Sequence, residues 1–317
     1  MVAIKVHLLM AVNGVLCFIG AIVNFLVVFV VLKNRQMRDE LNLLMASLSI
    51  ADLIVCLVAQ PMYIVILGTE TGAGFKYAFE LTAFIGVHAS FNSLTGITIN
   101  RMAVLLNPFS YTMSHHRTRL YASILGGIWG CSIILAYFFT TDSGRKVTPH
   151  VHTFMFALFI FTYAYIFWVA RKQVRKISSQ VQSVSFNHKA ATKIKSENSA
   201  AKTSAILVSA SLICFFPDIV FDWMKIVDKM RFDWAFTLLF LSSSMNPCIY
   251  VGRSGSFRLA LLRTIRCIPV LRDHIVSSNR VHPIGFDSTH RSKAGASRKE
   301  KESSVRGQAN GSLVEID

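Results

Sequence analysis

Polar side chains stand inside long apolar runs of this sequence, where bulk water cannot solvate them. Asp52 and Arg101 are charged, and Asn24 and Asn246 carry amides. Such groups are costly inside a membrane and need a partner or a purpose. No Lys or Arg lies at the depth of Asp52, so the simplest partner for its carboxylate is a small cation with water. Covalent catalysis is not indicated, because the sequence has no GxSxG, HExxH or P-loop motif.

Seven predominantly apolar runs hold these residues, and each is long enough to cross a bilayer core of about 30 Å as a helix. The chain has 317 residues and is 53% hydrophobic, more apolar than an ordinary soluble domain. The sequence therefore predicts an all-α bundle of seven transmembrane helices, of which the fifth and seventh are near the minimum length. The runs are 8–32, 41–67, 80–106, 119–140, 149–170, 200–224 and 233–251.

The basic residues predict the orientation of these helices. The formal net charge is +16, and 26 of the 33 Lys and Arg residues fall on the side that would be cytoplasmic if the N-terminus lay outside. Because cytoplasmic segments are rich in Lys and Arg, this distribution predicts an extracellular N-terminus and a cytoplasmic C-terminus. The basic residues lie between apolar runs and not within a polar domain, which argues against nucleic-acid binding.

Cysteine and histidine positions do not predict a disulfide framework or a zinc site. Five of the six cysteines lie inside apolar runs, and Cys267 lies just beyond the last. For the isolated histidines, positions in the core or at the rim are favoured over metal ligation; they are His88, His150 and His152. Composition also divides the chain into a membrane domain, 1–270, and a polar tail, 271–317, which is predicted to be disordered and cytoplasmic.

Several motifs resemble those of the rhodopsin-like (class A) G-protein-coupled receptors, in order and spacing over residues 10–267. Asn246-Pro247-Cys248-Ile249-Tyr250 resembles NPxxY, and Cys214-Phe215-Phe216-Pro217 is similar to CWxP. Asn100-Arg101-Met102 and the following segment, with Pro108 and Tyr111, resemble DRYxxIxxPLxY. Trp129, Asn24 and the segment ending at Asp52 match the fourth, first and second helices of the family.

The resemblance implies a role for each matching residue. A sodium–water pocket would be formed by Asp52, Ser90, Ser243 and Asn246. Arg101 would face the G protein in the active state and pair with Glu197 at rest, and Phe109 would insert into the G protein. The remaining activation residues are Tyr163 and Tyr250, which would swing inward, and Phe215 and Pro217 in the sixth helix.

The segment Gly255–Cys267 resembles the family's amphipathic eighth helix on the inner membrane face. Phe257, Leu261 and Leu262 would face lipid, and Cys267 would be palmitoylated. Beyond it, the Ser-rich tail would serve arrestin and a receptor kinase. The implied function is a plasma-membrane receptor that binds an extracellular ligand and activates heterotrimeric G proteins, with sodium as an allosteric ion, no other cofactor and no enzymatic activity.

Three departures from the family pattern stand out. Asn100 replaces the acid beside Arg101, which leads to the hypothesis of raised basal activity. Lys76 stands where the third helix usually has a disulfide cysteine, and the predicted outer loop 141–150 has none. Met155 replaces the usual proline of the fifth helix. The last two departures resemble the melanocortin, lysophospholipid and cannabinoid receptor branch.

The ligand is constrained by a few positions. A retinal Schiff base needs a lysine in the seventh helix, where Phe240 stands, and aminergic receptors have an aspartate where Ala83 stands. Glu80, Asp218 and Asp222 lie near the predicted outer mouth and would together favour a cationic peptide or small molecule. The alternative is that these acids are solvated, or pair with Lys76 and Lys225.

Two other functions remain open at this stage. One is a receptor-like membrane protein without G-protein coupling, for which Asn100 and Phe215 are the motivating departures. The other is a small transporter, although the sequence shows no internal repeat of the kind common in that class.

Overall fold

The computed structural model describes residues 2–106, 117–181, 188–224 and 229–266, and in this part of the chain all of the regular structure is helical. The prediction of an all-α bundle with a short eighth helix is confirmed. The helices are α1 Val2–Lys33, α2 Glu40–Gly68, α3 Ala73–Leu106, α4 Arg117–Thr140, α5 Asp142–Val181, α6 His188–Met224, α7 Lys229–Arg253 and α8 Gly255–Arg266.

Six helices of the described chain are long and apolar enough to cross a membrane: α1, α2, α4, α5, α6 and α7. The predicted third span, 80–106, lies in α3, which is 34 residues long and is not among these six. It carries the polar residues His88, Asn92, Asn100 and Arg101 along its length. The fifth and seventh spans, predicted to be near the minimum length, lie in helices of 40 and 25 residues. We call the half of the bundle near Arg101 the inner half, and the opposite half the outer half.

The connection between α4 and α5 corrects the predicted outer loop 141–150. α4 ends at Thr140 and α5 begins at Asp142, so residues 142–150 are helical. Thr141 is the N-cap, since its hydroxyl accepts the Gly144 N–H at 3.1 Å. Glycine is required here, because a Cβ on Gly144 would lie 1.9 Å from the Phe138 carbonyl oxygen. Pro149, which marked the start of the predicted fifth span, lies inside the helix instead.

Two buried apolar clusters hold the bundle together. The inner cluster contains Leu44, Leu94, Ile97 and Leu207, which join α2, α3 and α6. The outer cluster contains Tyr63, Phe79 and Phe240, and the rings of Tyr63 and Phe79 stack at 5.6 Å between centroids. Many other large apolar side chains point outward; Phe161 and Ile213 are each 73% exposed. An apolar exterior of this kind suits contact with lipid.

Local backbone features shape α2 and its contact with α1 and α7. A π-helical turn, Val55–Ala59, interrupts α2 just before Pro61, which has no N–H to donate. On α1, a Cβ at Gly20 would lie 2.6 Å from both Cys56 Sγ and Ser244 Oγ. Because Gly20 has no side chain, α2 and α7 can approach α1 closely at this position. Residues Met1–Thr264 form one compact unit, and the predicted tail 271–317 lies outside the described residues.

Candidate functional site

The four residues of the predicted sodium pocket come together in the middle of the bundle. Asp52 is fully buried in α2, and Asn246 Nδ2 on α7 donates to Asp52 Oδ2 at 3.0 Å. The hydroxyls of Ser90 on α3 and Ser243 on α7 lie beside the same carboxylate. Asn24 completes the link to α1, because its Nδ2 donates to the Ser243 carbonyl oxygen at 3.0 Å.

The donors of this pocket fit a small hard cation. Asp52 Oδ1 is buried and receives no hydrogen bond from the described residues, so one carboxylate oxygen has its ligand capacity unused. A carboxylate surrounded by hydroxyl oxygens is the type of ligand set that hard cations prefer. Asn246 is held in place from its other side, since its Oδ1 accepts a hydrogen bond from Ser211 Oγ at 3.2 Å.

Arg101 is buried at the inner end of α3 and contacts the residue that departs from the family pattern. Its Nη2 donates to Asn100 Oδ1 at 2.8 Å. Asn100 Nδ2 in turn donates to the Tyr121 hydroxyl on α4 at 3.1 Å. An amide can therefore accept from Arg101 while it donates to Tyr121, which links α3 to α4. Sequence reasoning did not identify Tyr121, because no family motif includes it.

The two predicted activation tyrosines have separate partners. The Tyr163 hydroxyl accepts from Thr98 Oγ1 at 3.1 Å, one turn before Arg101 on α3. The Tyr250 hydroxyl donates to Asn42 Oδ1 at the start of α2. Asn42 is itself fixed by Asp39, the N-cap of α2, which accepts both the backbone and the side-chain N–H groups of Asn42. Asn42 was not singled out in the sequence, although the pattern Asp39-x-x-Asn42 is typical of a helix N-terminus.

Phe215 of α6 lies in the middle of the bundle. Its ring meets the Phe91 ring of α3 edge-on at 5.6 Å, and Phe91 meets Phe159 of α5 at 4.7 Å. The three rings connect α3, α5 and α6 just before Pro217, which lies inside α6. Any change in the bend at Pro217 must therefore alter ring packing between these three helices.

The eighth helix corrects one prediction and leaves another open. Phe257 does not face lipid; it is fully buried and meets the Tyr250 ring at 5.0 Å. Leu259 and Leu262 are the exposed apolar residues of α8, at 58% and 51%. Phe109 and Cys267 lie outside the described residues, and so does the side chain of Glu197, so their predicted roles stay predictions.

The three acids of the predicted outer mouth are not equivalent. Glu80 pairs with Arg145, at 2.5 Å between Oε2 and Nη2, and both side chains are partly exposed. Arg145 was not among the partners considered for these acids, and Lys225 lies outside the described residues. Asp218 and Asp222 lie together on one face of α6 and contact His152 of α5, with the ligand atoms of all three within 4.8 Å of one another. The prediction that His152 is isolated is therefore wrong.

A cavity lies between α3, α4, α5 and α6 beside this group. Its interior volume is about 30 Å³, which is small beside the range of about 300–1,000 Å³ for ligand sites. The lining is apolar apart from His88, Asn92 and His152. The Asn92 amide already has a hydrogen-bond partner, because its Nδ2 donates to Ser132 Oγ at 2.9 Å. The two histidines are thus the polar groups that distinguish the outer part of the cavity.

Comparison with known proteins gives consistent matches. Residues 23–153 match the family described as 7 transmembrane receptor (rhodopsin family). The chain is 25% identical to melanopsin of Mus musculus over 86% of this chain and 59% of melanopsin. It is 23% identical to the D(1C) dopamine receptor of Xenopus laevis, over 84% of this chain and 68% of that receptor. It is also 23% identical to melanocortin receptor 5 of Pan troglodytes, over 78% and 81% of the two chains.

These relatives are all receptors, and they do not single out one branch. The chain spans about three fifths of the length of the mouse melanopsin that it matches. A melanocortin receptor stands beside melanopsins and a dopamine receptor at similar identity, so the placement in the melanocortin branch stays a prediction. The relatives and the apolar helices together make the chain a multi-pass membrane protein.

Proposed function

We propose that this chain, which resembles the rhodopsin family of seven-transmembrane receptors over residues 23–153 and in its relatives, is a plasma-membrane receptor that activates heterotrimeric G proteins. Its N-terminus would be extracellular and its C-terminus cytoplasmic, as the basic residues predict. The observation that carries the proposal is the buried polar contact of Arg101 with Asn100 and Tyr121 at the inner end of α3. These contacts place the guanidinium at the inner end of α3, where a partner protein on the cytoplasmic side would reach it.

G-protein coupling can be tested on the receptor without a known ligand. Cells expressing the receptor would be assayed with activation reporters for each class of Gα subunit, and the signal normalised to surface expression. We expect one class to respond above mock-transfected cells, and Arg101→Gln to remove that response. Arg171→Gln is the matched control, because Arg171 is an exposed arginine at the inner end of α5 whose guanidinium lies over the Phe167 ring.

A response that Arg101→Gln leaves unchanged would favour the alternative of a receptor-like protein that does not couple through this arginine. A response absent for every Gα class, with or without a screened ligand library, would favour the same alternative. The small transporter is not supported by any of the comparisons, which are with receptors.

Sodium is the ion that we propose for the pocket at Asp52. The unused Oδ1 of a fully buried carboxylate, with Ser90 and Ser243 beside it, supports this choice. When bound, the ion would supply the positive charge that no Lys or Arg provides at this depth. We expect NaCl to raise the melting temperature of the purified receptor above the value in choline chloride at equal ionic strength. Asp52→Asn should remove the difference, whereas Asp142→Asn, at the exposed start of α5, should keep it.

We propose that the extracellular ligand is cationic and enters the outer half beside Asp218 and Asp222. Glu80 is not part of the charged group in the described residues, since it pairs with Arg145, so its role as a third ligand residue would require that pair to open. Phe240 is buried against Tyr63 at the position where retinal would need a lysine, and melanopsin likeness therefore does not extend to that chemistry. Asp218→Asn should weaken a cationic agonist; unchanged potency would contradict this proposal.

The remaining partners follow from the sequence alone. We propose that arrestin and a receptor kinase act on the Ser-rich tail, that Cys267 is palmitoylated, and that Leu259 and Leu262 of α8 contact membrane lipids. Loss of incorporated radiolabelled palmitate in Cys267→Ser would support the second of these.

A further inference from the structure

Two helices of the outer half present imidazole and carboxylate groups to one another. His152 lies on α5, and Asp218 and Asp222 lie one turn apart on α6. One ligand atom from each residue lies within 4.8 Å of the other two. His152 is 66 positions from Asp218 and 70 from Asp222 in the sequence, so only the fold brings it to the two acids.

The negative charges of the two carboxylates are not balanced by an ion pair within this group. Asp218 is only 8% exposed, and among the described residues it has no hydrogen-bond or ion-pair partner. The Nδ1 atom of His152 is buried and has none either. A buried carboxylate without a partner is costly, and the cost is larger inside a membrane, where the alternatives to pairing are few. A positive charge held between α5 and α6 would offset this cost.

His88 on α3 adds a fourth possible ligand nearby, the second with an imidazole nitrogen. Its ring lies 5.6 Å from the His152 ring, and both line the outer cavity. His88 Nδ1 contacts the Phe84 carbonyl oxygen at 2.7 Å, and because a carbonyl can only accept, the ring proton must be on Nδ1. Nε2 therefore carries a lone pair, and it is buried without a hydrogen-bond partner in the described chain. A histidine whose other nitrogen donates to a backbone carbonyl is oriented as metal-binding histidines usually are.

The mixed donors decide which cation fits. Sodium, calcium and magnesium prefer oxygen ligands only. An organic ammonium group can donate hydrogen bonds to the carboxylates and to the imidazole nitrogens, but it forms no coordination bonds, so a tetrahedral Co²⁺ spectrum distinguishes a metal site from an ammonium site. Zn²⁺ binds imidazole nitrogen and carboxylate oxygen at about 2.0–2.1 Å in tetrahedral geometry, which places ligand atoms about 3.4 Å apart. The atoms at up to 4.8 Å in the free site would need side-chain movements of about 1 Å to reach that spacing.

We infer that His152, Asp218 and Asp222 form a Zn²⁺ site that joins α5 to α6, with His88 as the nearest fourth ligand. The site deepens the proposed function, because it names a metal ion as a cationic ligand of the outer half. Asp218 directly follows Pro217, and Phe215 lies two residues before the proline. Zn²⁺ would thus fix α6 at its proline, next to the ring contact of Phe215 with Phe91.

The test is direct metal binding by the purified full-length receptor in detergent or nanodiscs, with no G protein present. After treatment with a chelator, the receptor would be titrated with ZnCl₂ by calorimetry and its melting temperature recorded at each concentration. Co²⁺ would replace Zn²⁺ for visible absorption, because tetrahedral Co²⁺ gives a characteristic spectrum. MgCl₂ at the same concentrations is the ion control, and it should not change the melting temperature through this site.

We expect one Zn²⁺ per receptor, a higher melting temperature that EDTA reverses, and a tetrahedral Co²⁺ spectrum. His152→Gln and Asp218→Asn should each weaken Zn²⁺ by more than about 10-fold, since even outer contacts to a metal site contribute 10- to 100-fold. His150→Gln is the matched control, because His150 lies two residues away on α5, meets the Trp223 ring edge-on at 4.8 Å, and is outside the group. It should bind Zn²⁺ as the wild type does.

Absence of Zn²⁺ binding by the folded wild type would overturn the inference, and so would equal affinity in the wild type, His152→Gln and Asp218→Asn. Folding of each variant is checked separately by its melting temperature without metal. The result is independent of G-protein coupling. A receptor that binds Zn²⁺ but activates no Gα class would contradict the proposed function alone, and one that signals but does not bind Zn²⁺ would contradict the metal site alone.

Discussion

Asn100→Asp is expected to lower basal G-protein activation. In the resting structure, Asn100 Oδ1 accepts from Arg101 Nη2 at 2.8 Å, and its Nδ2 donates to the Tyr121 hydroxyl at 3.1 Å. An aspartate in the same rotamer accepts from Arg101 as a carboxylate. It also keeps the contact with Tyr121, because a phenol can donate as well as accept. The substitution therefore strengthens one bond and reverses the direction of the other without losing either.

The size of the effect follows from the change in bond type. The Arg101 guanidinium is charged, so its bond to the neutral Asn100 amide already contributes about 1.5–3 kcal/mol. Aspartate converts this bond into an ion pair, and we expect a further gain of about 1 kcal/mol, because the cost of burying the carboxylate offsets part of the added attraction. Both residues are buried, at 5% and 7% exposure, so solvent screens the attraction only weakly. A difference of 1.4 kcal/mol is tenfold in an equilibrium constant, so the active fraction should fall roughly 5-fold.

The assay is the Gα reporter that responds to the wild type, measured without ligand and divided by surface receptor number. Asn100→Ala is the opposing variant. It removes both contacts and should raise basal activity by about 10-fold or more, because the bond to the charged guanidinium alone contributes about 1.5–3 kcal/mol. Equal basal activity in the wild type and Asn100→Asp would refute the reasoning. A rise in Asn100→Asp would show that the contact with Arg101 does not favour the resting state.

Two stability predictions rest on local geometry. Gly20→Ala should destabilise the purified receptor by about 1–3 kcal/mol, because the new Cβ would lie 2.6 Å from side chains of α2 and α7. Gly14→Ala is the control, since its Cβ would have nothing within 4 Å, and it should be neutral or slightly stabilising. Equal melting temperatures of the two variants would contradict the packing argument. Thr141→Ala should cost about 1 kcal/mol through loss of the N-cap of α5, whereas Thr141→Ser should keep the bond to the Gly144 N–H and the wild-type melting temperature.

Apolar run length predicted how many helices exist but not where they end. Hydropathy marks only the part of a helix that lies in hydrocarbon, whereas hydrogen bonds and caps decide its ends. α6 begins at His188, twelve residues before the apolar run that starts at 200, because its polar first turns continue the same helix. The prediction of a loop over 141–150 was wrong because Pro149 is compatible with the first position of a helix, which suggested a start there. The sequence Thr141-Asp142-Ser143-Gly144 held the correct signal, since a Thr followed by Asp favours an N-terminus.

The inner half of the site was more predictable than the outer half. Asp52, Ser90, Ser243 and Asn246 could be assigned to one pocket because each lies in a recognisable motif at a fixed helical depth, and the structure brings them together. His152 belongs to no motif, and its proximity to Asp218 depends on how α5 rotates about its own axis. Periodicity within one helix does not determine that rotation relative to another, so the outer group could not be derived from spacing.

The low hydropathy of α3 is best explained by its position among the other helices. Its polar side chains are satisfied by three neighbours: Ser93 contacts Ser47 of α2, Asn92 and Asn100 contact Ser132 and Tyr121 of α4, and Thr98 contacts Tyr163 of α5. A helix exposed to lipid could not keep such groups, because hydrocarbon offers them no partners. α3, which is not among the six helices apolar enough to span a membrane, therefore has partners for these polar groups on three neighbouring helices. The same enclosure places Ser90, His88 and Arg101 on α3 where they serve the pocket at Asp52, the proposed metal site and the inner switch, so a single central helix can connect all three.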